Sequence, residues 1–233
     1  MEKRQKIVFF TGAGVSAESG VKTFRDSGGL WEGHSVEEVA SIRGWKTDRS
    51  KVLKFYNERR RQLNEVEPNN AHKVIAELEK DYDVVVITQN VDDLHERAGS
   101  TNIIHLHGEL MKMCSSNNKK LTLPYEKDIE VGDKHEDGSQ LRPFIVWFGE
   151  DVPMMIEAAN EVRTADIFVV IGTSLNVYPA ADLVRYTKGH CRKYFIDPNP
   201  SLGSYMESFT VYKTGGSEGM EKLKEIFIKN EEN

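Results

Sequence analysis

Four apolar residues, Ile7-Val8-Phe9-Phe10, run without interruption into Thr11-Gly12-Ala13-Gly14, and this junction constrains the chain more than any other stretch. A continuous apolar run of that length suits a strand buried on both faces of a parallel sheet, and the glycines end it in a tight turn. The spacing Gly12, Gly14, Ala17 fits the G-x-G-x-x-G/A pattern, in which small residues let the backbone and the start of a following helix approach a pyrophosphate. Such a helix start would offer unpaired N–H groups and a positive dipole end. A tight turn with no ligand is the competing reading of the same residues.

The design recurs along the chain. Val84-Val85-Val86-Ile87 ends in Thr88-Gln89-Asn90-Val91-Asp92, Ile167 to Ile171 ends in Gly172-Thr173-Ser174, and Tyr194-Phe195-Ile196 ends in Asp197-Pro198-Asn199. Strands that end in small or polar residues, with helical stretches between them, predict an α/β fold: a Rossmann-like, doubly wound parallel sheet whose polar strand ends converge on one edge. The opening unit departs from a dehydrogenase, because no second strand with a ribose-binding acid follows about twenty positions on. Instead Thr23-Phe24-Arg25-Asp26-Ser27-Gly28-Gly29-Leu30-Trp31 reads as a polar, glycine-rich lid over the phosphate site.

Between these runs, Val36–Ala40 and Ser50–Leu63 read as helices of a small module, and Pro68-Asn69-Asn70-Ala71-His72 opens another helix with Asn69 or Asn70 as its N-cap. In Ile103 to Leu110, alternation along a short strand puts His105 and His107 on one side. A histidine at a strand end is suited to general-base work, and spacing alone does not choose between these two. Lys112 to Arg142 is strongly charged and rich in turn signals, which predicts a weakly packed second module. Leu141 to Glu150 reads either as a core strand or as a hydrophobic wall for a substrate.

A net charge of -6 gives no electrostatic footprint for nucleic acid, and no apolar run approaches the length of a membrane span. Cys114 and Cys191, the only 2 cysteines, suggest neither a disulfide framework nor a metal site. The expectation is a soluble cytoplasmic monomer.

Taken together, Gly12-Ala13-Gly14 to Arg25, Thr88 to Asp92, His107-Gly108 and Gly172-Thr173-Ser174 resemble, in order, the sirtuins, NAD-consuming protein-lysine deacylases. The resemblance implies a Rossmann-type large domain from residues 1–31, 71–109 and 143–233, with a small domain formed by two insertions, a helical one at 32–70 and a degenerate zinc-type one at 110–142. It implies NAD on Gly12, Ala13, Gly14, Thr23, Phe24, Arg25, Gln89, Asn90, Asp92, Gly172, Thr173, Ser174, Asn199 and Gly215. His107 corresponds to the family's catalytic base, and Asn90 and Asp92 orient the nicotinamide portion and a water. In the implied reaction the acyl-lysine oxygen displaces nicotinamide, His107 deprotonates a ribose hydroxyl, and free lysine and acyl-ADP-ribose leave. The lid at Phe24 and Arg25 excludes solvent.

Val146-Trp147-Phe148-Gly149 resembles the family stretch that lines the acyl-lysine tunnel and pairs with the backbone of an acyl-lysine protein or peptide. Tyr56 and Arg59, three apart on one helix face, resemble the branch that removes succinyl and malonyl groups, whose acyl chains end in a carboxylate. A solvated arginine beside a core tyrosine is the plainer reading. The usual cysteine pairs of a structural zinc are reduced to Cys114 between Leu110 and Trp147, so no zinc is expected. Mono-ADP-ribosyl transfer and a non-catalytic NAD or ADP-ribose sensor are the alternative functions.

Overall fold

A computed structural model describes residues 4–21, 30–31, 33–200 and 207–231. In chain order the strands are β1 (Lys6–Thr11), β2 (Leu30–Trp31), β3 (His34–Ser35), β4 (Asp83–Thr88), β5 (Ile103–His105), β6 (Gly108–Ser115), β7 (Thr122–Pro124), β8 (Leu141–Ile145), β9 (Ile167–Ile171), β10 (Arg192–Ile196) and β11 (Thr210–Tyr212). The helices are α1 (Val36–Val39), α2 (Ile42–Thr47), α3 (Arg49–Leu63), α4 (Asn70–Glu77), α5 (Leu94–Ala98), α6 (Met155–Arg163) and α7 (Gly216–Glu231).

Six strands form one parallel sheet in the order β11-β10-β9-β1-β4-β5. The chain builds outward from β1 to β5, then returns to the other side of β1 and continues through β9 to β11. This is the strand order of dinucleotide-binding folds, and the reversal opens a crevice where β1 and β9 end. Alternation along β1 explains why its apolar run is unbroken. Val8 and Phe10 join Val85, Ile87, Phe168 and Val170 beneath α6 and the 3₁₀ turn Ala180–Tyr186, while Ile7 and Phe9 join Val84, Val86, Ile167 and Val169 against α4 and α7. Both faces are therefore covered, as the unbroken apolar runs within these strands require. Asn69 is the N-cap of α4, its side chain accepting from the Ala71 N–H.

The turn after β1 differs from expectation. Ala13–Val15 and Ala17–Ser19 are two short 3₁₀ turns, not an α-helix, so the turn after β1 brings no long helix dipole of its own to the crevice. β11, which no sequence pattern singled out, completes the sheet.

A three-stranded antiparallel sheet, β7-β6-β8, forms a smaller unit with α1, α2 and α3. The charged segment from Lys112 is thus better packed than its composition predicted: Leu110, Met113, Ile129, Leu141 and Ile145 share one core with Val52, Leu53, Phe55 and Leu63 of α3. The strand expected over Ile103 to Leu110 divides between the two sheets. Gly108 permits the break at φ +85, and a Cβ there would lie 2.0 Å from the Phe144 carbonyl oxygen.

Candidate active site

Where β1 and β9 end, two glycine turns lie against each other. The Gly14 N–H donates to the Gly172 carbonyl at 2.8 Å, and a Cβ on Gly14 would stand 2.6 Å from Gly172 Cα. Side chains are excluded by this approach, so backbone is left bare at the mouth of a cavity of about 520 Å³. The expected residues Gly12, Ala13, Gly14, Gln89, Asn90, Asp92, Gly172, Thr173, Ser174, Asn199 and Gly215 all line it. Thr23, Phe24 and Arg25 lie outside the described residues; of the expected lid only Leu30 and Trp31 are described, and Trp31 lines the cavity.

A buried polar network stands beside the glycines. Asn90 Nδ2 donates to Ser16 Oγ and Ser16 Oγ donates to Asp92 Oδ2, each at 3.0 Å, and the Leu94 N–H donates to Asp92 Oδ1 at 3.3 Å. Burial raises the Asp92 pKa to about 6, against the partial offset of those bonds. His72, 3.5 Å from Ser16 Oγ, is pushed down to about 4 by burial and is neutral at pH 7. Gln89 Nε2 donates to Thr173 Oγ1 at 2.9 Å, joining the ends of β4 and β9.

The two histidines left open by sequence part here. His107 lines the cavity, and its Nδ1 lies 3.0 Å from the Gln89 carbonyl, which fixes Nδ1 as the protonated nitrogen and leaves Nε2 as a lone-pair base. Burial lowers its pKa, partly offset by that bond, so it is neutral and ready to accept a proton near pH 7. His105 does not line the cavity; its Nε2 pairs with Glu96 Oε1 at 2.6 Å.

At the far end, Tyr56 and Arg59 of α3 face Val146, Trp147, Phe148 and Gly149 across the same cavity. The Tyr56 hydroxyl accepts from Trp147 Nε1 at 3.0 Å, and burial raises its pKa, so the phenol keeps its own proton to donate. Arg59 is 16% exposed, and its Nε and Nη1 are buried without a partner among the described residues. Among the described residues its carboxylate contact is Glu58 at 3.8 Å. Trp147 is clamped from behind by the Arg142 guanidinium, 3.4 Å from its ring centroid, while Phe148 is 51% exposed at the rim.

Glycine crevice, polar pocket, neutral histidine and apolar arm agree with a profile that matches residues 12–179. The chain belongs to the Sir2 family. A Bacteroides thetaiotaomicron protein named NAD-dependent protein deacylase is 54% identical over 230 residues, covering 96% of this chain and 98% of that protein. One of the same name from Helicobacter pylori is 58% identical over 194 residues, 83% of each chain. A crystal structure of a Sir2 homologue with NAD superposes with TM-score 0.86 at 37% identity, covering 97% of this chain and 91% of that one. A Sir2 variant with a deacetylated peptide and 3′-O-acetyl-ADP-ribose gives 0.81 at 28% identity, covering 95% and 93%.

Within this Sir2 site, sequence reasoning gave no role to Ser16 beyond the turn, and none to His72, Glu18 or Asp197. Their signal was weak: single polar residues become a network only when β1, β4 and α4 meet. Glu18 Oε1 accepts from the Ser217 N–H at the start of α7, and Asp197 lines the cavity beside Asn199.

The zinc-type module offers a poor metal site. Cys114 is buried, its pKa raised to about 11 mainly by burial, and its Sγ lies 3.9 Å from the Pro143 carbonyl. Ser115 occupies the position beside it, its Oγ donating to Asp137 Oδ2 at 2.5 Å and accepting from the Asn117 and Asn118 N–H groups, each at 3.0 Å. Among the described residues, the one group of three clustered donor side chains, Glu96, His105 and Glu109, lies elsewhere.

Proposed function

We propose that this NAD-dependent protein deacylase prefers lysines carrying succinyl or malonyl groups, and removes acetyl groups more slowly. One observation carries the preference: a guanidinium whose Nε and Nη1 are buried without a hydrogen-bond partner among the described residues lines the cavity together with Tyr56. Glu58 at 3.8 Å and the Phe55 ring at 4.8 Å leave those buried donors without hydrogen bonds, and a carboxylate on the acyl chain would supply charge-assisted, bidentate ones. An acetyl group brings no such partner.

The rest of the reading assigns roles to this chain's residues. The bare backbone at Gly12–Gly14 and Gly172–Ser174 suits a diphosphate, and Asn90, Asp92 and Gln89 suit the nicotinamide end. Bound NAD supplies the ribose that receives the acyl group. His107 Nε2 takes the ribose hydroxyl proton, while Trp147 and Val146 keep water from the lysine stem. The small module, built on Ser115 in place of paired thiolates, holds no zinc in this reading.

Incubating the protein with NAD and matched acetyl-, malonyl- and succinyl-lysine peptides, and following acyl-ADP-ribose by mass, tests the preference. The expected kcat/KM for succinyl exceeds that for acetyl by about tenfold or more, in keeping with a charged hydrogen bond worth roughly 1.5–3 kcal/mol. Arg59→Met should reverse the order. Faster acetyl turnover, unchanged by that substitution, sinks the clamp; ADP-ribosylated protein without acyl-ADP-ribose would favour mono-ADP-ribosyl transfer.

A further inference from the structure

His105 and His107 use their Nδ1 atoms in the same way. His107 bonds the carbonyl of Gln89 at 3.0 Å and His105 bonds the next carbonyl, that of Asn90, at 3.2 Å. Their other nitrogens differ: His107 Nε2 has no hydrogen-bond partner among the described residues, whereas His105 Nε2 is held 2.6 Å from Glu96 Oε1. Both partners are acceptors, so the ring satisfies both at once only as an imidazolium. Its ring is nearly buried, 8% exposed, at the end of β5. The charged and titratable groups around it are Glu96 and His95 of α5, Glu109 of β6, which is itself paired to Lys112 at 2.7 Å, and Asp92.

Asn90 is thereby fixed at three points. Its N–H donates to Thr88 Oγ1 at 3.0 Å, its Nδ2 to Ser16 Oγ at 3.0 Å, and its carbonyl accepts from His105. Without the imidazole donor, a carbonyl in a buried residue loses its partner and the peptide can rotate, taking the Ser16-centred network with it.

We propose that His105 and Glu96 form a positioning pair for deacylation: the charged ring clamps the Asn90 backbone and so holds the Asn90 amide and the Asp92 carboxyl against the nicotinamide end of the site. The pair rests on the deacylase reaction itself and not on the acyl preference. Two imidazoles two residues apart then work in opposite protonation states, His107 neutral and His105 charged. Burial alone would depress His105, but the Glu96 hydrogen bond and charge, aided by Glu109 and the Asn90 carbonyl, raise its pKa. Activity therefore rises with pH through the lowered pKa of His107 and falls as His105 loses its proton.

The test is kcat/KM against pH for the full chain with NAD and both acetyl and succinyl peptides. In Glu96→Gln the descending limb should move down by about one pH unit, the size expected for losing one close opposite charge, with the peptide KM unchanged. His105→Asn, whose amide replaces the Nδ1 donor without titrating, should keep activity within about threefold and lose that limb. His105→Leu should lower kcat about tenfold. By NMR, the His105 ring should titrate above an ordinary histidine and fall in Glu96→Gln, a readout that needs neither turnover nor the leucine variant to fold. A wild-type descending limb in both Glu96→Gln and His105→Asn, or a His105 ring that titrates low, overturns the proposal. Absence of turnover by the wild type with every peptide would instead overturn the deacylase reading.

Discussion

Two buried serines, one in each part of the molecule, organise polar networks around an aspartate, and the aspartates respond in opposite ways. Ser16 Oγ donates to Asp92, which burial raises to about 6. Ser115 Oγ donates to Asp137, which the bonds from the Ser115 and Ser139 hydroxyls and the Ser139 N–H lower to about 2. Asp137 is exposed to solvent, whereas Asp92 is 6% exposed and sits inside the buried pocket with Ser16 and Asn90. The first network carries an unfavourable charge that a ligand can use; the second fastens a loop. A carboxyl kept buried at a cost marks a site, and one whose ionised form is held by hydroxyl and N–H donors marks a staple.

The sharpest way to break this contrast acts on the first region. His107→Ala removes the proposed base and should lower kcat by about 10²–10⁴-fold, read as acyl-ADP-ribose formation, with thermal stability little changed. A loss below about tenfold would deny His107 that role. Asp92→Asn should cost about 10–100-fold in rate yet stabilise the fold at pH 7.5 by roughly 1–2 kcal/mol, because it removes a charge that burial disfavours. The sign follows from linkage: a carboxyl raised in the folded state adds stability below its unfolded pKa near 3.9 and loses it as pH rises through about 6. Denaturant titrations at pH 4.5 and 7.5 should therefore differ less in Asp92→Asn than in the wild type.

In the second region the expectation reverses. Ser115→Ala leaves the Asn117 and Asn118 N–H groups and Asp137 without their partner, and should destabilise by about 1–3 kcal/mol while kcat stays within about twofold. Asp137, lowered in the folded state, stabilises above its unfolded pKa and loses that contribution as pH falls toward 2. The smallest effect concerns metal: prolonged chelation should leave the thermal midpoint unshifted, and elemental analysis should find no stoichiometric zinc. One tightly held zinc per chain would mean that the Ser115 network is not the module's fastening.

Much of the large sheet was legible because its strands are buried on both faces, and unbroken apolar runs have few other uses. β11 was not, since Thr210-Val211-Tyr212 is short, half-buried and at the sheet's edge, so its residues need not be uniformly apolar. The 3₁₀ turns after Gly12 also escaped, because a glycine fingerprint specifies close approach and says little about which helix follows. Most candidate cavity residues were named from motifs. The interactions that give them chemistry join residues far apart in the chain, such as Asn90 to Ser16 and Tyr56 to Trp147.

By itself, the sequence determined that apolar runs become parallel strands and that their glycine and polar ends share an edge, because strand burial and side-chain alternation are local consequences of composition. Only the tertiary structure decided between neighbours. His107 took the cavity and His105 took Glu96 because β5 ends between them. Arg59, Arg60 and Arg61 are identical in type, yet the first lines the cavity, the second is fully buried on the Leu110 and Lys127 carbonyls, and the third pairs with Asp128 at the surface. Successive helix positions point about 100° apart, so what each side chain meets depends on the elements packed around α3, which no local pattern contains.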